Sequence, residues 1–167
     1  SEWESTSGGA IYAYVYDPNT VTIHGSAFEG NLTGGRGGAL YSQGTGALTM
    51  TASLVRGNWA GLNGGGLAFR LSPVSMHSCA VVDNQIDNEV DDRGAGIWFS
   101  GVQGTVQHAT IARNTGGDGT GVLVTHNSMD TEYSDVSMIN SIVAGQGVGV
   151  RADIGDAASV NLSLIHI

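Results

Sequence analysis

The sequence predicts an all-β chain wound as a single-stranded parallel β-helix, a solenoid of about six coils, and two interleaved patterns carry that prediction. The first is a Gly-rich opening, Gly37-Gly38-Ala39-Leu40. It returns as Gly8-Gly9-Ala10-Ile11, Gly64-Gly65-Gly66-Leu67, Gly94-Ala95-Gly96-Ile97, Gly119-Thr120-Gly121-Val122 and Gly147-Val148-Gly149-Val150. Starts at residues 8, 37, 64, 94, 119 and 147 give steps of 29, 27, 30, 25 and 28 residues. A near-constant period of this size marks units that bury their apolar side only by stacking on one another. The second pattern is VTIHGSAFEGN (residues 21–31), which returns at 48–58, 74–84, 104–114 and 136–146. Short period-2 apolar segments bounded by Gly and Asn are strands rather than helices, and two or three such strands per turn in parallel registry make a β-helix.

Aligning the second segments gives columns with distinct physical roles. Ile23, Met50, Met76, Val106 and Met138 form one core column, and Phe28, Val55, Val81, Ile111 and Val143 form another. A small-residue column of Ser26, Ser53, Cys79, Ala109 and Ser141 lies between them, and Asn31, Asn58, Asn84, Asn114 and Gln146 close each segment. Asn tolerates the left-handed backbone that a sharp bend needs, and stacked Asn side chains can bond along the axis. The Gly pairs serve the other corner, where a Cβ is not tolerated. At about 4.8 Å per coil, six coils make a rod on the order of 30 Å long.

The order of the remaining elements follows. Residues 1–7 are a lead-in, with Trp3 expected to cover the open end of the first coil. Residues 8–167 form one domain, and its apolar final strand, Val160 to Ile165, suggests truncation in mid-solenoid. The connectors, where solenoids place function, include Tyr12, Tyr14 and Tyr16 ahead of Asp17-Pro18-Asn19 in coil 1. They also include a corner expansion from Gln85 to Arg93 in coil 3 and the stretch from Thr125 to Asp135 in coil 5.

The intact pair Gly8-Gly9-Ala10-Ile11 with Phe28-Glu29-Gly30-Asn31 resembles the repeat of bacterial polymorphic outer membrane proteins. Asn140-Ser141-Ile142-Val143-Ala144-Gly145, followed by Ser159 to Ile165, resembles secreted bacterial β-helix proteins with a C-terminal surface anchor. Both groups belong to the pectin-lyase-like class, so the resemblance implies a right-handed winding and a secreted or cell-surface location. Later coils replace Phe28 with Val55, Val81 and Ile111, which keeps the core column apolar.

Composition narrows the function classes. The chain has 27 Gly and 2 Pro, no Lys, six Arg and a formal net charge of -9, so nucleic acid and anionic membranes are not expected as partners. The single Cys79 has no disulfide partner within the chain and falls in an inward column, which points to packing. No stretch reaches transmembrane length. A glycan or a host or cell-surface protein is the expected partner, and end-to-end pairing of two copies through an uncovered last coil is a further expectation.

Two sets of residues offer chemistry. The position after each Gly-rich opening gives an outward column of Tyr12, Tyr41, Ala68, Trp98, Leu123 and Arg151. Tyr12, Tyr41 and Trp98 in that column could stack on sugar rings, although aromatics also simply favour strands. The acidic run Asp83, Asp87, Glu89, Asp91 and Asp92 is the densest charge feature. Asp91 or Asp92 with Asp118 could supply acid and base for glycoside hydrolysis, and Asp87, Glu89 and Asp91 could hold calcium. A solvated acidic loop explains the same residues. Repeat alignment pairs Glu29 with Arg56, Asp83 with Arg113 and Arg93 with Asp118, as in stabilising cross-strand pairs, which leaves Arg36, Arg70 and Arg151 outside those columns. The class members that cleave uronic-acid polymers use basic residues and often calcium, which this Lys-free chain supplies sparsely.

Other motifs point away from catalysis. TGGDGTGVLV and GGRGGALYS have Gly121 and Ala39 where a calcium-binding nonapeptide needs Asp, and a phosphate loop needs a Lys. His24 and His77 share a column two coils apart, roughly 9–10 Å, too far for one zinc ion. His108 is shifted by one position, His126 falls on a connector, and Ser26 beside His24 has no orienting acid. The reading is a non-catalytic extracellular module, without cofactor or metal, that presents its connectors to a partner. The competing reading is a fragment of a polysaccharide hydrolase or lyase.

Overall fold

The computed structural model describes residues 7–87, 93–126, 133–153 and 159–166. Coil 1 contains β1 (Ile11–Tyr14), β2 (Thr20–His24), β3 (Ala27–Glu29) and β4 (Leu32–Thr33). Coil 2 contains β5 (Leu40–Gln43), β6 (Ala47–Thr51), β7 (Leu54–Arg56) and β8 (Trp59–Ala60). Coil 3 contains β9 (Leu67–Arg70), β10 (Val74–His77), β11 (Ala80–Val82) and β12 (Gln85–Ile86). Coil 4 has β13 (Ile97–Ser100), β14 (Gln103–Gln107) and β15 (Thr110–Ala112). Coil 5 has β16 (Thr120–Thr125) and β17 (Asp135–Ala144), and the winding continues through β18 (Val148–Ala152) and β19 (Ser159–His166).

Every strand pairing is parallel and joins one coil to the next, as a β-helix requires. The first sheet runs β1-β5-β9-β13-β16-β18, so its six strands bound five complete turns. The second sheet follows β2-β6-β10-β14-β17 along one side and β3-β7-β11-β15-β17 along the other, with β19 on β17. The third, β4-β8-β12, is confined to the first three coils and extends only by a bridge between Gln85 and Thr115.

The core columns align as the repeat demands. Ile23 pairs with Met50, Met50 with Met76, Met76 with Val106 and Val106 with Met138, and all five are buried in one continuous core. From the first sheet, Leu40, Leu67, Ile97 and Val122 enter the same core, and Phe69 and Phe99 stack with centroids 5.5 Å apart. In the small-residue column, Ser53 Oγ accepts from Ser26 N at 3.2 Å and Ser141 Oγ accepts from Ala109 N at 3.2 Å. These hydroxyls satisfy backbone groups where the strands bend. Cys79 is buried in that column, and burial pushes its thiol pKa up, as suits packing rather than attack.

The closing amides form a ladder. Asn31 Nδ2 donates to Asn58 Oδ1 at 2.8 Å, Asn58 Nδ2 to Asn84 Oδ1 at 2.9 Å, and Asn84 Nδ2 to Asn114 Oδ1 at 3.0 Å. The backbone N–H of Asn31, Asn58 and Asn84 reaches the same oxygens. The left-handed conformation expected at these Asn residues falls one residue earlier, on Gly30, Gly57, Asp83, Arg113 and Gly145. The Asn must point inward along the axis to reach its neighbours, so the preceding residue makes the bend and projects outward. Gln146, longer by one methylene, donates to Ile111 O at 3.1 Å but leaves its own Oε1 buried without a partner. At the opposite corner Gly37 has φ 70°, and a Cβ there would lie 2.2 Å from Leu40 O. That contact is why glycine opens the coil.

Candidate functional site

The column of Tyr12, Tyr41, Ala68, Trp98, Leu123 and Arg151 is aligned strand to strand as expected. Its exposure is not. Tyr41 is 4% and Trp98 8% exposed, and with Ala68 and Leu123 they form a second, smaller apolar cluster on the outer face of the first sheet. The Gly-rich turns fold back over that face. A Cβ on Gly64 would lie 2.8 Å from Ala68 Cβ, one on Gly94 3.0 Å from Leu123 Cβ, and the Arg36 guanidinium carbon sits 5.3 Å from the Trp98 ring centre. Tyr41 donates its hydroxyl to Gln43 Oε1 at 2.6 Å, and burial pushes its pKa up. Tyr41 and Trp98 are therefore covered, and the column does not present a continuous exposed aromatic face.

What remains open is the end of that column and the strand leading away from it. Tyr12, Tyr14 and Tyr16 are 49%, 50% and 58% exposed. They alternate along β1 and beyond it, with Ile11 and Val15 on the opposite side packing inward, so period 2 places all three rings outward. The Tyr14 and Tyr16 rings meet edge to face at 4.8 Å, and Tyr12 leans on Tyr41 at 5.4 Å. The Tyr16 hydroxyl hydrogen-bonds Tyr14, which holds Tyr14 below the ordinary phenol pKa and raises Tyr16, while Gln43 lowers Tyr14 further. A Tyr residue every second position was visible in the sequence as part of a connector, but nothing there distinguished it from the covered aromatics.

The carboxylates of Glu29, Asp83, Asp118 and Asp153 have structural partners. Asp91, Asp92 and Glu89 lie outside the described residues. Asp118 accepts from Thr120 N through Oδ1 at 3.0 Å, and its Oδ2 stands 3.0 Å from Arg151 Nη1 and 3.8 Å from Arg93 Nε. Both arginines also hold Asp153, at 3.2 Å from Arg93 and 3.0 Å from Arg151, which closes a ring of two guanidinia and two carboxylates across the last coils. Arg151, placed outside the charge columns by sequence, is thus part of one. The expected pairs Glu29–Arg56 and Asp83–Arg113 form at 2.6 and 2.7 Å. The Arg113 guanidinium holds the Asp83 carboxyl below the usual carboxylate pKa. Of the calcium candidates only Asp87 is described, and among the described residues no three His, Cys, Asp or Glu side chains gather to hold a metal.

The bend between the two halves of the second sheet carries a different set. A shallow groove of about 520 Å³ runs along it past Gly25, Ala52, Ser78 and His108. His24 has Thr51 as its neighbour, Nδ1 to Oγ1 at 2.8 Å, and the strand register sets Thr51 between it and His77. His77 and His108, offset by one position in the repeat alignment, approach to 5.0 Å between ring centres. Ser26 Oγ donates to His24 O rather than to an imidazole.

With this geometry established, the chain matches the family model described as the right-handed β-helix region over residues 4–164. It belongs to that family. This β-helix is 29% identical over 180 aligned residues to the probable autotransporter YfaL of Escherichia coli strain K12, an alignment that covers 93% of this chain and 14% of that protein. The chain therefore spans about one seventh of the relative it matches. No solved structure matches it significantly. Among the described residues no helix is long and apolar enough to cross a membrane.

Proposed function

We propose that this β-helix is a segment of a surface-displayed passenger whose work is adhesion, and that it engages a neutral glycan through Tyr12, Tyr14 and Tyr16. The observation that carries the reading is the contrast in exposure. Every other aromatic of the outer column is covered, whereas three adjacent tyrosines are each about half open. Large exposed aromatics in a cluster mark interaction surfaces, and tyrosine offers broad, rigid contact with a polar tip at low entropic cost. The apolar face of a pyranose fits such rings, and its hydroxyls fit the phenol groups and the Gln43 amide beside them. The net charge of -9 disfavours polyanionic sugars. Three side chains make a patch well short of the roughly 800 Å² per side of a stable protein interface, which favours a small ligand. Surface display rests on the autotransporter relative.

The reading as an enzyme draws its described catalytic residue from Asp118. Both of its oxygens are already engaged, Oδ1 by Thr120 N–H and Oδ2 by Arg151 with Arg93 nearby, so the carboxylate serves as a strut between the last coils and is not left open to a substrate.

A glycan array probed with the wild type and with a Tyr12→Ser/Tyr14→Ser/Tyr16→Ser variant tests the proposal. Binding to neutral glycans that disappears in a variant of unchanged melting temperature supports it. Absence of any glycan binding, or equal binding by the variant, refutes it and redirects attention to a protein partner. Fusion to an outer-membrane translocator followed by protease shaving of intact cells tests surface display separately.

A further inference from the structure

We propose that His77 and His108 form a two-histidine site for one transition-metal ion of the Cu2+, Ni2+ or Zn2+ class, with solvent completing the coordination. His77 ends β10 and pairs in register with Gln107, and His108 is the next residue, in the left-handed conformation at φ 53°. That conformation belongs to a column of bends at Gly25, Ala52, Ser78, His108 and Asn140. It swings the His108 ring toward the preceding coil, so that the two imidazoles stand with centres 5.0 Å apart and planes at 70°. Both residues are exposed.

The separation suits a shared ion. With metal–nitrogen bonds of about 2.0–2.1 Å, each ring centre lies about 3.2 Å from the ion. Centres 5.0 Å apart then subtend an angle of about 100° at the ion, between the tetrahedral and square-planar values that these metals adopt. The surroundings also fit. Metal-binding imidazoles characteristically hydrogen-bond through the nitrogen that does not ligate. His77 Nδ1 lies 2.9 Å from Ser78 Oγ, and donation there leaves the Nε2 lone pair for the ion. His108 Nε2 lies 3.3 Å from the Asn140 side-chain amide, which can turn its oxygen to accept Nε2–H and leave Nδ1 to ligate. A chain of net charge -9 attracts cations to such a surface. The order of affinities for nitrogen ligands places Cu2+ tightest. This site is separate from the tyrosine patch, so it stands or falls independently of the glycan proposal.

Calorimetric titration with Cu2+ and with Ni2+, together with electron paramagnetic resonance of the Cu2+ form, tests the site. The variants His77→Gln and His108→Asn use residues that other coils already place in those columns, Gln107 and Asn140, and circular dichroism checks that the fold is kept. We expect one ion per chain, two nitrogen ligands in the Cu2+ spectrum, at least about a tenfold loss of affinity in either variant, and no change in His24→Gln. No heat of binding in the wild type overturns the proposal. So does binding that survives His77→Gln or His108→Asn unchanged, which would place the ion on the terminal amine or on another histidine.

Discussion

Two groups of aromatic side chains occupy the same outer side of the first sheet and meet opposite fates. Tyr41 and Trp98 are buried in a cluster with Ala68 and Leu123, Trp98 beneath the Arg36 guanidinium, while Tyr12, Tyr14 and Tyr16 stand open on the first coil. Nothing in residue type separates them. What differs is whether a neighbouring turn returns across the strand, a property of the coil and not of the side chain. The covered group is a second packing layer outside the β-helix, and the open group is a surface available to a ligand. Mutations should therefore divide cleanly, with stability lost at one group and binding at the other.

The largest effect is expected at the covered group. Trp98→Ala should cost about 3–5 kcal/mol of stability, as large-to-small changes at buried aromatics do, seen as a lower denaturant midpoint. Any loss of ligand binding should vanish when only the folded fraction is counted. Next comes the Asn ladder. Asn84→Ala removes the acceptor for both Asn58 N and Asn58 Nδ2 and the donor to Val55 O. Leaving such buried groups unsatisfied should cost about 2–4 kcal/mol, again by denaturant titration.

A smaller effect is expected from the ring that ties the last coils. Its side chains are partly exposed, so Asp118→Asn should cost about 1 kcal/mol or less, and the difference from wild type should shrink at high salt. Asp83 provides a pH test. Its folded pKa is depressed, first by the hydrogen bond from Arg113. Its contribution is therefore present above the unfolded value of about 3.9 and is lost as pH falls through the lower folded value. Acid melting curves should show a shallower decline in that window for Asp83→Asn than for wild type. The smallest stability effect belongs to the open group, where Tyr-to-Ser changes at 12, 14 and 16 should stay within about 0.5 kcal/mol.

The repeat made most of the fold legible before any coordinates. Period alone put Met50 over Met76 and Val55 over Val81, and the same alignment paired Glu29 with Arg56 and Asp83 with Arg113. Column membership was thus readable wherever each coil repeats its predecessor. Features that depend on one coil crossing another were not. The contact of Arg36 with Trp98, the capture of Arg151 by Asp118 and Asp153, and the meeting of His77 with His108 all arise from offsets between columns. Alignment treats an offset as a mismatch, so it assigned Trp98 to the surface and set His108 aside. The bend residue was misplaced by one for a related reason. Asn tolerates the left-handed region, but here its amide is committed inward to the ladder, and the residue before it makes the bend.

The most direct test compares Tyr14→Ser with Trp98→Phe on one glycan array, each alongside its own melting curve. Tyr14→Ser should melt like wild type and bind poorly, while Trp98→Phe should melt lower and, below its transition, bind like wild type. Binding lost in a fully folded Trp98→Phe and retained in Tyr14→Ser would contradict the division between covered and open aromatics on which the proposed function rests.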